Sequence, residues 1–149
     1  MVEIIVLSRS MAEKVKADVP HAFISITNPY SALADLQIND LTQGVLRLQF
    51  HDVEIELPAE NEDEMTLFPM TQEMAGQVID FVKSVKDRIE LLIVHCEAGQ
   101  SRSAGVGAAV SKCFLGTDEQ WFKLPFTPNS TCYREVTTAF FGKMFTGQE

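Results

Sequence analysis

The sequence is poor in long apolar runs and in cysteine. No apolar stretch approaches the roughly 20 residues of a membrane-spanning helix, and no charged N-terminal region precedes an apolar signal core. The 149 residues contain three cysteines, an odd number without the spacing of a metal site. We therefore expect a cytoplasmic protein with reduced thiols, no disulfide framework, no metal and no other cofactor.

Positive charge is also scarce. Twelve Lys and Arg residues against 21 Asp and Glu residues give a formal net charge of −9. Such a chain is repelled by nucleic acid backbones and anionic membranes, so neither is expected as a main partner. An apolar content of 46% and a charged content of 22% are typical of a globular protein. The length suits one domain over residues 1–149, and nothing in the sequence indicates an oligomeric state.

The most informative stretch is residues 91–110, LLIVHCEAGQSRSAGVGAAV. Four apolar residues at its start predict a buried strand, and the small residues 104–109 predict a closely packed helix. A strand that turns sharply into a helix directs backbone N–H groups and the positive end of the helix dipole at one point. The stretch therefore predicts an anion site.

Three residues in this turn indicate what happens to the anion. The local field favours the thiolate form of Cys96, which is a nucleophile. Arg102 offers a planar fork of donors that matches two phosphate oxygens. Gly99 allows the turn to adopt positive φ angles and to approach the anion closely. An anion site that contains a nucleophile predicts attack on phosphorus.

Residues 95–103, HCEAGQSRS, resemble the signature His-Cys-x-x-Gly-x-x-Arg-Ser of the cysteine-dependent protein tyrosine phosphatases, in its dual-specificity form. The resemblance is closest to the small enzymes of this type from bacteria and phages. It implies an α/β fold with a central, mostly parallel sheet flanked by helices, and a phosphate loop between a strand and a helix. It also implies hydrolysis of protein phosphotyrosine, or of both phosphotyrosine and phosphoserine or phosphothreonine, through a phosphocysteine intermediate.

The resemblance assigns roles within the loop. Cys96 is expected to be the nucleophile, and Arg102 is expected to hold the transferred phosphoryl group. Ser103 is expected to donate a hydrogen bond that eases the departure of Cys96, and His95 to orient the thiolate. Further phosphate contacts are expected from the backbone amides of Glu97, Ala98, Gly99, Gln100 and Ser101.

The proton donor to the leaving group is left open by the sequence. Asp52 directly follows a predicted strand, whose end should lie at the ligand-binding edge of the sheet. Phosphatases resembling this chain carry such an aspartate upstream of the cysteine. His51 could act instead, or could only position the loop. Three other acidic residues compete for the role, namely Glu62, Asp63 and Glu64.

Other functions also remain open. The expected partner is a phosphorylated protein or a small aryl phosphate, whereas lipid phosphatases of this superfamily carry basic residues where this chain has Glu97 and Gln100. A catalytically weak phosphate-binding module is one alternative. Another is a different thiolate enzyme, such as an arsenate reductase or a sulfurtransferase.

The periodicity of apolar residues and the turn residues predict the other elements. Strands are predicted over residues 2–7, 21–26 and 45–50. Helices are predicted over residues 11–17, 71–88, 103–114 and 117–123, and after residue 129. A loop with some helix is expected over residues 28–44, and an acidic, mobile flap over residues 55–69.

Overall fold

A computed structural model describes the backbone of residues 2–146 and the side chains as far as residue 142. Its sheet has four parallel strands in the spatial order β1-β4-β2-β3. The strands are β1 (Glu3–Ser8), β2 (His21–Thr27), β3 (Thr42–Gln49) and β4 (Leu91–Cys96). The predicted α/β fold with a parallel sheet is confirmed.

Helices cover mainly one face of this sheet. They are α1 (Arg9–Ala12), α2 (Gln72–Val85), α3 (Arg102–Leu115) and α4 (Ser130–Thr146), with a 3-10 helix at Glu119–Phe122. The main core lies between the sheet and α2, α3 and α4, and a smaller core on the other face includes Ala12, Phe23 and Leu36. Strand β2 is buried on both faces, as expected for a central parallel strand.

Two of the predicted helical segments are wrong. Helix α1 begins at Arg9, not at residue 11, because the Ser8 side chain accepts a hydrogen bond from the Met11 N–H (3.2 Å) and caps the helix there. Residues 28–41 contain no helix, since the carbonyl groups of Leu33 and Ala34 bind arginine side chains from other elements.

The other boundaries differ by a few residues. Strand β3 begins at Thr42, three residues earlier than predicted. Helix α2 has its cap at Thr71, whose hydroxyl accepts from the Met74 N–H (3.2 Å), but it ends at Val85 rather than at residue 88. Among the described residues, no helix is both long and apolar enough to cross a membrane.

Residues 55–69 are mostly exposed, as the acidic composition predicts. Leu57 and Leu67 pair through two backbone hydrogen bonds of 2.8 and 2.9 Å, so the segment folds back on itself as a small antiparallel hairpin. Its movement as a lid over the site stays a prediction.

Candidate active site

The phosphate loop, residues 97–101, connects the end of β4 to the start of α3. Because β4 lies between β1 and β2, the loop emerges at the centre of the carboxyl edge of the sheet, where ligands bind in open α/β folds. Gly99 has φ +75°, and a Cβ atom there would lie 2.5 Å from the Leu7 carbonyl carbon and the Ser8 nitrogen. Only glycine fits this close passage over the end of β1.

The carbonyl groups of the phosphate loop accept hydrogen bonds from backbone N–H groups of other segments. Backbone N–H groups of Arg9, Thr127 and Asn129 donate to the carbonyls of residues 97, 100 and 101, at 3.1, 2.8 and 3.0 Å respectively. In a trans peptide the N–H points away from the C=O. The amides of residues 98, 101 and 102 are therefore directed to the opposite side of the chain. This arrangement forms a cradle of N–H donors for an anion.

Cys96 is 2% exposed and lies at the base of this cradle. Its Sγ is 3.0 Å from the Ser103 Oγ and accepts from the Gly99 N–H at 3.3 Å. When the sulfur is a thiolate it has no proton, so Ser103 must be the donor. The two residues therefore have the geometry needed to stabilise negative charge on sulfur.

Arg102 is 4% exposed, and its guanidinium group is anchored on one side only. Nη1 donates to the Asn28 Oδ1 (2.8 Å) and to the Phe50 carbonyl (2.7 Å). Nε is buried and has no partner within the described part of the chain. A buried N–H without an acceptor is costly, and a phosphate oxygen is the acceptor that would remove this cost.

His95 lies beneath the loop and is fully buried. Its Nδ1 is 3.1 Å from the Cys96 carbonyl, and its Nε2 is 2.6 Å from the Ser25 Oγ. Because a carbonyl can only accept, Nδ1 carries the proton and Nε2 accepts from Ser25. Burial lowers the pKa of His95 below its usual 6.5, while the hydrogen bond to the Cys96 carbonyl partly opposes this shift. The ring is therefore neutral near pH 7.

This lowered pKa predicts a loss of stability in acid. Below pH 6.5 the unfolded chain takes up a proton at His95 that the folded chain refuses, so stability falls as the pH drops towards the folded-state pKa. Urea unfolding between pH 7.5 and 5 should give a steeper fall in the free energy of unfolding for the wild type than for His95→Asn. Equal slopes would contradict the assignment of a neutral His95.

Asp52 is exposed and accepts two hydrogen bonds, one from the phosphate loop and one from the residue that precedes α4. Its Oδ1 accepts from the Ser101 hydroxyl (2.7 Å) and from the Asn129 side-chain amide (3.0 Å). Asn129 also caps α4, because its Oδ1 accepts from the Cys132 N–H (3.0 Å). A Cβ atom on Gly105 of α3 would lie 2.6 Å from the Asn129 carbonyl, so α3 needs glycine there to bring Asn129 this close.

The three competing acidic residues lie elsewhere. Glu62, Asp63 and Glu64 belong to the exposed hairpin, and the Glu64 carboxylate accepts from the Glu60 N–H (3.1 Å) and the Asn61 side chain (3.2 Å). Among the described hydrogen bonds, none joins these three residues to the phosphate loop.

His51 is buried at the base of the hairpin. Its ring Nδ1 accepts from the Phe68 backbone N–H (3.0 Å), and the backbone N–H of His51 donates to the Phe68 carbonyl (2.8 Å). The structure thus places His51 where it fixes the base of the hairpin.

Two further residues at the site could not be identified from the phosphate-loop motif, because they lie far from it in the sequence. Asn28 follows β2 and holds Arg102, and Arg9 follows β1 and forms an ion pair with Glu97 of the loop (Nη1 to Oε2, 3.2 Å). Both stand just beyond the carboxyl end of a strand that is close to β4 in space. The rule that ligands bind at this edge could have identified them, had the strand order been known.

The two cysteines outside the loop are poor nucleophiles. Burial raises the pKa of Cys113 to about 12 and also raises the pKa of Cys132, so both remain thiols at neutral pH. They therefore do not provide the second thiolate that an arsenate reductase would use. Among the described side chains, no group of three or more His, Cys, Asp or Glu residues could hold a metal ion.

Comparisons with known proteins bear on the fold. A scan against protein-family models and a search of curated proteins gave no match. Solved structures do match: the human tyrosine phosphatase-like serine/threonine/tyrosine-interacting protein has a TM-score of 0.60 and 20% identity, covering 96% of this chain and 93% of its own. Human DUSP28 has a TM-score of 0.61 and 14% identity, covering 96% and 94%. The chain has the fold of a dual-specificity phosphatase.

A third similar structure extends the comparison. PTPMT1 in complex with PI(5)P has a TM-score of 0.54 and 14% identity, covering 96% of this chain and 91% of its own. In all three cases the dual-specificity phosphatase fold spans nearly the whole of both chains. The narrower resemblance to bacterial and phage enzymes stays a prediction.

Proposed function

We propose that this protein hydrolyses phosphomonoesters through a phosphocysteine intermediate, with protein phosphotyrosine as the main substrate and phosphoserine or phosphothreonine as further substrates. The observation that carries the proposal is that one loop joins a buried Cys96, backbone amides directed away from the outer hydrogen bonds, and Arg102, whose buried Nε has no partner in the described part of the chain. These groups are a nucleophile and the donors that stabilise charge on a phosphoryl group in transfer.

In the first step the Cys96 sulfur attacks phosphorus, an S–P bond forms and the ester P–O bond breaks. Arg102 Nε and the loop amides bind the non-bridging oxygens. A protonated Asp52 gives its proton to the leaving oxygen, for which its Oδ2 is available, since both described hydrogen bonds use Oδ1.

In the second step water attacks phosphorus and the S–P bond breaks. Asp52 removes a proton from the water, and phosphate departs. The Ser103 hydroxyl, 3.0 Å from Sγ, stabilises the returning thiolate. The sulfur must be reduced for this cycle, so we also propose that the protein works in a reducing compartment such as the cytoplasm.

The experiment that tests the proposal is hydrolysis of p-nitrophenyl phosphate and a phosphotyrosine peptide under reducing conditions without added metal. We expect turnover by the wild type. Absence of turnover, with phosphate still bound, would favour a phosphate-binding module instead. One protein of similar structure is described as a tyrosine phosphatase-like serine/threonine/tyrosine-interacting protein, a name that refers to binding and not to hydrolysis. Phosphate binding should therefore be measured alongside turnover.

The role of Asp52 as the acid predicts a loss that depends on the leaving group. Asp52→Asn should lower kcat/KM by about 10²–10⁴, with a smaller loss for p-nitrophenyl phosphate, whose leaving group needs little protonation, than for a phosphoserine peptide. The matched control is Asp63→Asn in the exposed hairpin, which should retain wild-type rates. Equal losses for both substrates, or a larger loss in Asp63→Asn, would remove Asp52 from this role.

Phosphoinositides are not the substrates that we propose. PTPMT1 is described in complex with PI(5)P, but the loop of this chain exposes Glu97 and Gln100 where a polyanionic headgroup would meet the protein. Residues 52–64 beside it carry seven Asp and Glu residues and no Lys or Arg. This charge repels additional phosphate groups on a substrate.

A further inference from the structure

Tyr30 combines two unfavourable features. It is 91% exposed, and its φ of +66° makes it the one non-glycine residue with positive φ in the described part of the chain. An exposed aromatic ring alone needs no explanation. A bulky residue in the left-handed region is strained, and such strain is characteristic of functional positions.

The turn that contains Tyr30 is fixed by hydrogen bonds. The Asn28 carbonyl accepts from the Ser31 N–H (3.2 Å), the Ser31 hydroxyl (2.8 Å) and the Gln49 side-chain amide (3.1 Å). The same Gln49 amide also donates to the Ser31 carbonyl (3.3 Å). These contacts hold the backbone on both sides of Tyr30, so the strained conformation is maintained by its surroundings.

The turn is also attached directly to the phosphate-binding machinery. The Asn28 Oδ1 accepts from Arg102 (2.8 Å), and Tyr30 follows two residues later, at most about 7 Å along the chain. Further along, the Leu33 carbonyl accepts from Arg9 (2.9 Å), which is itself paired with the phosphate loop. Residues 28–33 therefore form one rim of the anion cradle.

We propose that Tyr30 is a specificity-determining residue whose ring packs against the aromatic ring of an aryl phosphate bound in the cradle. This inference rests on the proposed function and makes phosphotyrosine its preferred substrate. The hydrogen-bonded turn fixes the backbone on both sides of Tyr30 before a ligand arrives, so little backbone freedom is lost on binding, and the exposed ring can gain an aromatic contact. An alkyl phosphate such as phosphoserine has no ring to make that contact.

Binding of two non-hydrolysable ligands tests this inference without requiring turnover. Phenylphosphonate carries a ring and methylphosphonate does not, and isothermal titration calorimetry gives both dissociation constants. An aromatic contact of ordinary strength predicts that Tyr30→Asn weakens phenylphosphonate binding about 3- to 10-fold. Methylphosphonate binding should change less than about twofold, because the cradle itself is intact. Tyr30→Phe should behave like the wild type.

Stability supplies the second readout. Asparagine tolerates the left-handed conformation, so the thermal midpoint of Tyr30→Asn should not fall even though aryl binding does. The matched control is Ile38→Asn, a polar replacement of another exposed apolar side chain (57%) in the same loop, which should leave both dissociation constants unchanged.

Two results would overturn the inference. Equal weakening of both phosphonates in Tyr30→Asn would mean that Tyr30 acts through Asn28 and Arg102 rather than on a ring. Unchanged phenylphosphonate binding would mean that the ring does not contact the ligand. Neither result depends on whether the wild type hydrolyses phosphate esters, so failure of this inference is distinct from failure of the proposed function.

Discussion

Cys96→Ser is expected to reduce kcat for p-nitrophenyl phosphate to the background rate, a loss on the order of 10⁶ for removal of a covalent nucleophile. A serine hydroxyl has the same shape but is a far weaker nucleophile here, because the site has no base placed to remove its proton. His95 precedes Cys96 in the chain, but both of its ring nitrogens already form hydrogen bonds, to the Ser25 hydroxyl and to the Cys96 carbonyl.

The control for this substitution is Cys113→Ser. Cys113 lies on α3, the helix that follows the loop, and its raised pKa of about 12 keeps it a thiol. The Cys113→Ser variant should therefore retain wild-type activity. Phosphate binding by Cys96→Ser should persist, since Arg102 and the loop amides are unchanged. Turnover by Cys96→Ser near the wild-type rate would show that another group is the nucleophile.

Arg102→Lys is expected to lower kcat/KM by about 10²–10³, the usual cost of losing one donor to a developing oxyanion. A lysine keeps the charge but has a single nitrogen. It cannot bind the Asn28 side chain and the Phe50 carbonyl through one nitrogen while it presents another to phosphate. Steady-state kinetics should show the loss mainly in kcat, because the donor acts most strongly in the transition state.

The matched variant is Arg134→Lys, an exposed arginine of α4 whose side chain is 62% accessible. It should leave both kinetic constants unchanged. Full activity in Arg102→Lys would mean that positive charge alone suffices and that the fork geometry has no role.

The part of the site that could be predicted from the sequence is contiguous in the chain. Cys96, Gly99, Arg102 and Ser103 lie within eight residues, between an apolar strand and a helix of small residues, so local patterns are enough to place them together. The α/β fold follows from the same alternation of strands and helices.

The part that could not be predicted comes from the ends of other strands and from the residue that precedes α4. Arg9, Asn28 and Asn129 reach the loop only because β4 lies between β1 and β2 and because α3 packs closely on α4. Apolar periodicity does not specify strand order.

The wrong helix in residues 28–44 has a related cause. Leu33, Leu36 and Leu41 have a spacing that resembles one helix face, but Leu33 is 50% exposed and only Leu36 of the three is buried. The arginine side chains that bind the carbonyl groups of this segment belong to Arg9 and Arg47, on other elements.

The most direct test of the proposed chemistry is to trap the phosphoenzyme. Wild-type protein mixed with excess p-nitrophenyl phosphate and quenched rapidly in acid should show, by intact mass spectrometry, a fraction carrying one added phosphoryl group, and peptide mapping should place it on Cys96. The fraction should be absent from Cys96→Ser and present in Cys113→Ser. A phosphoryl group on any other residue, or rapid turnover with no phosphorylated enzyme in the burst phase, would contradict the phosphocysteine mechanism.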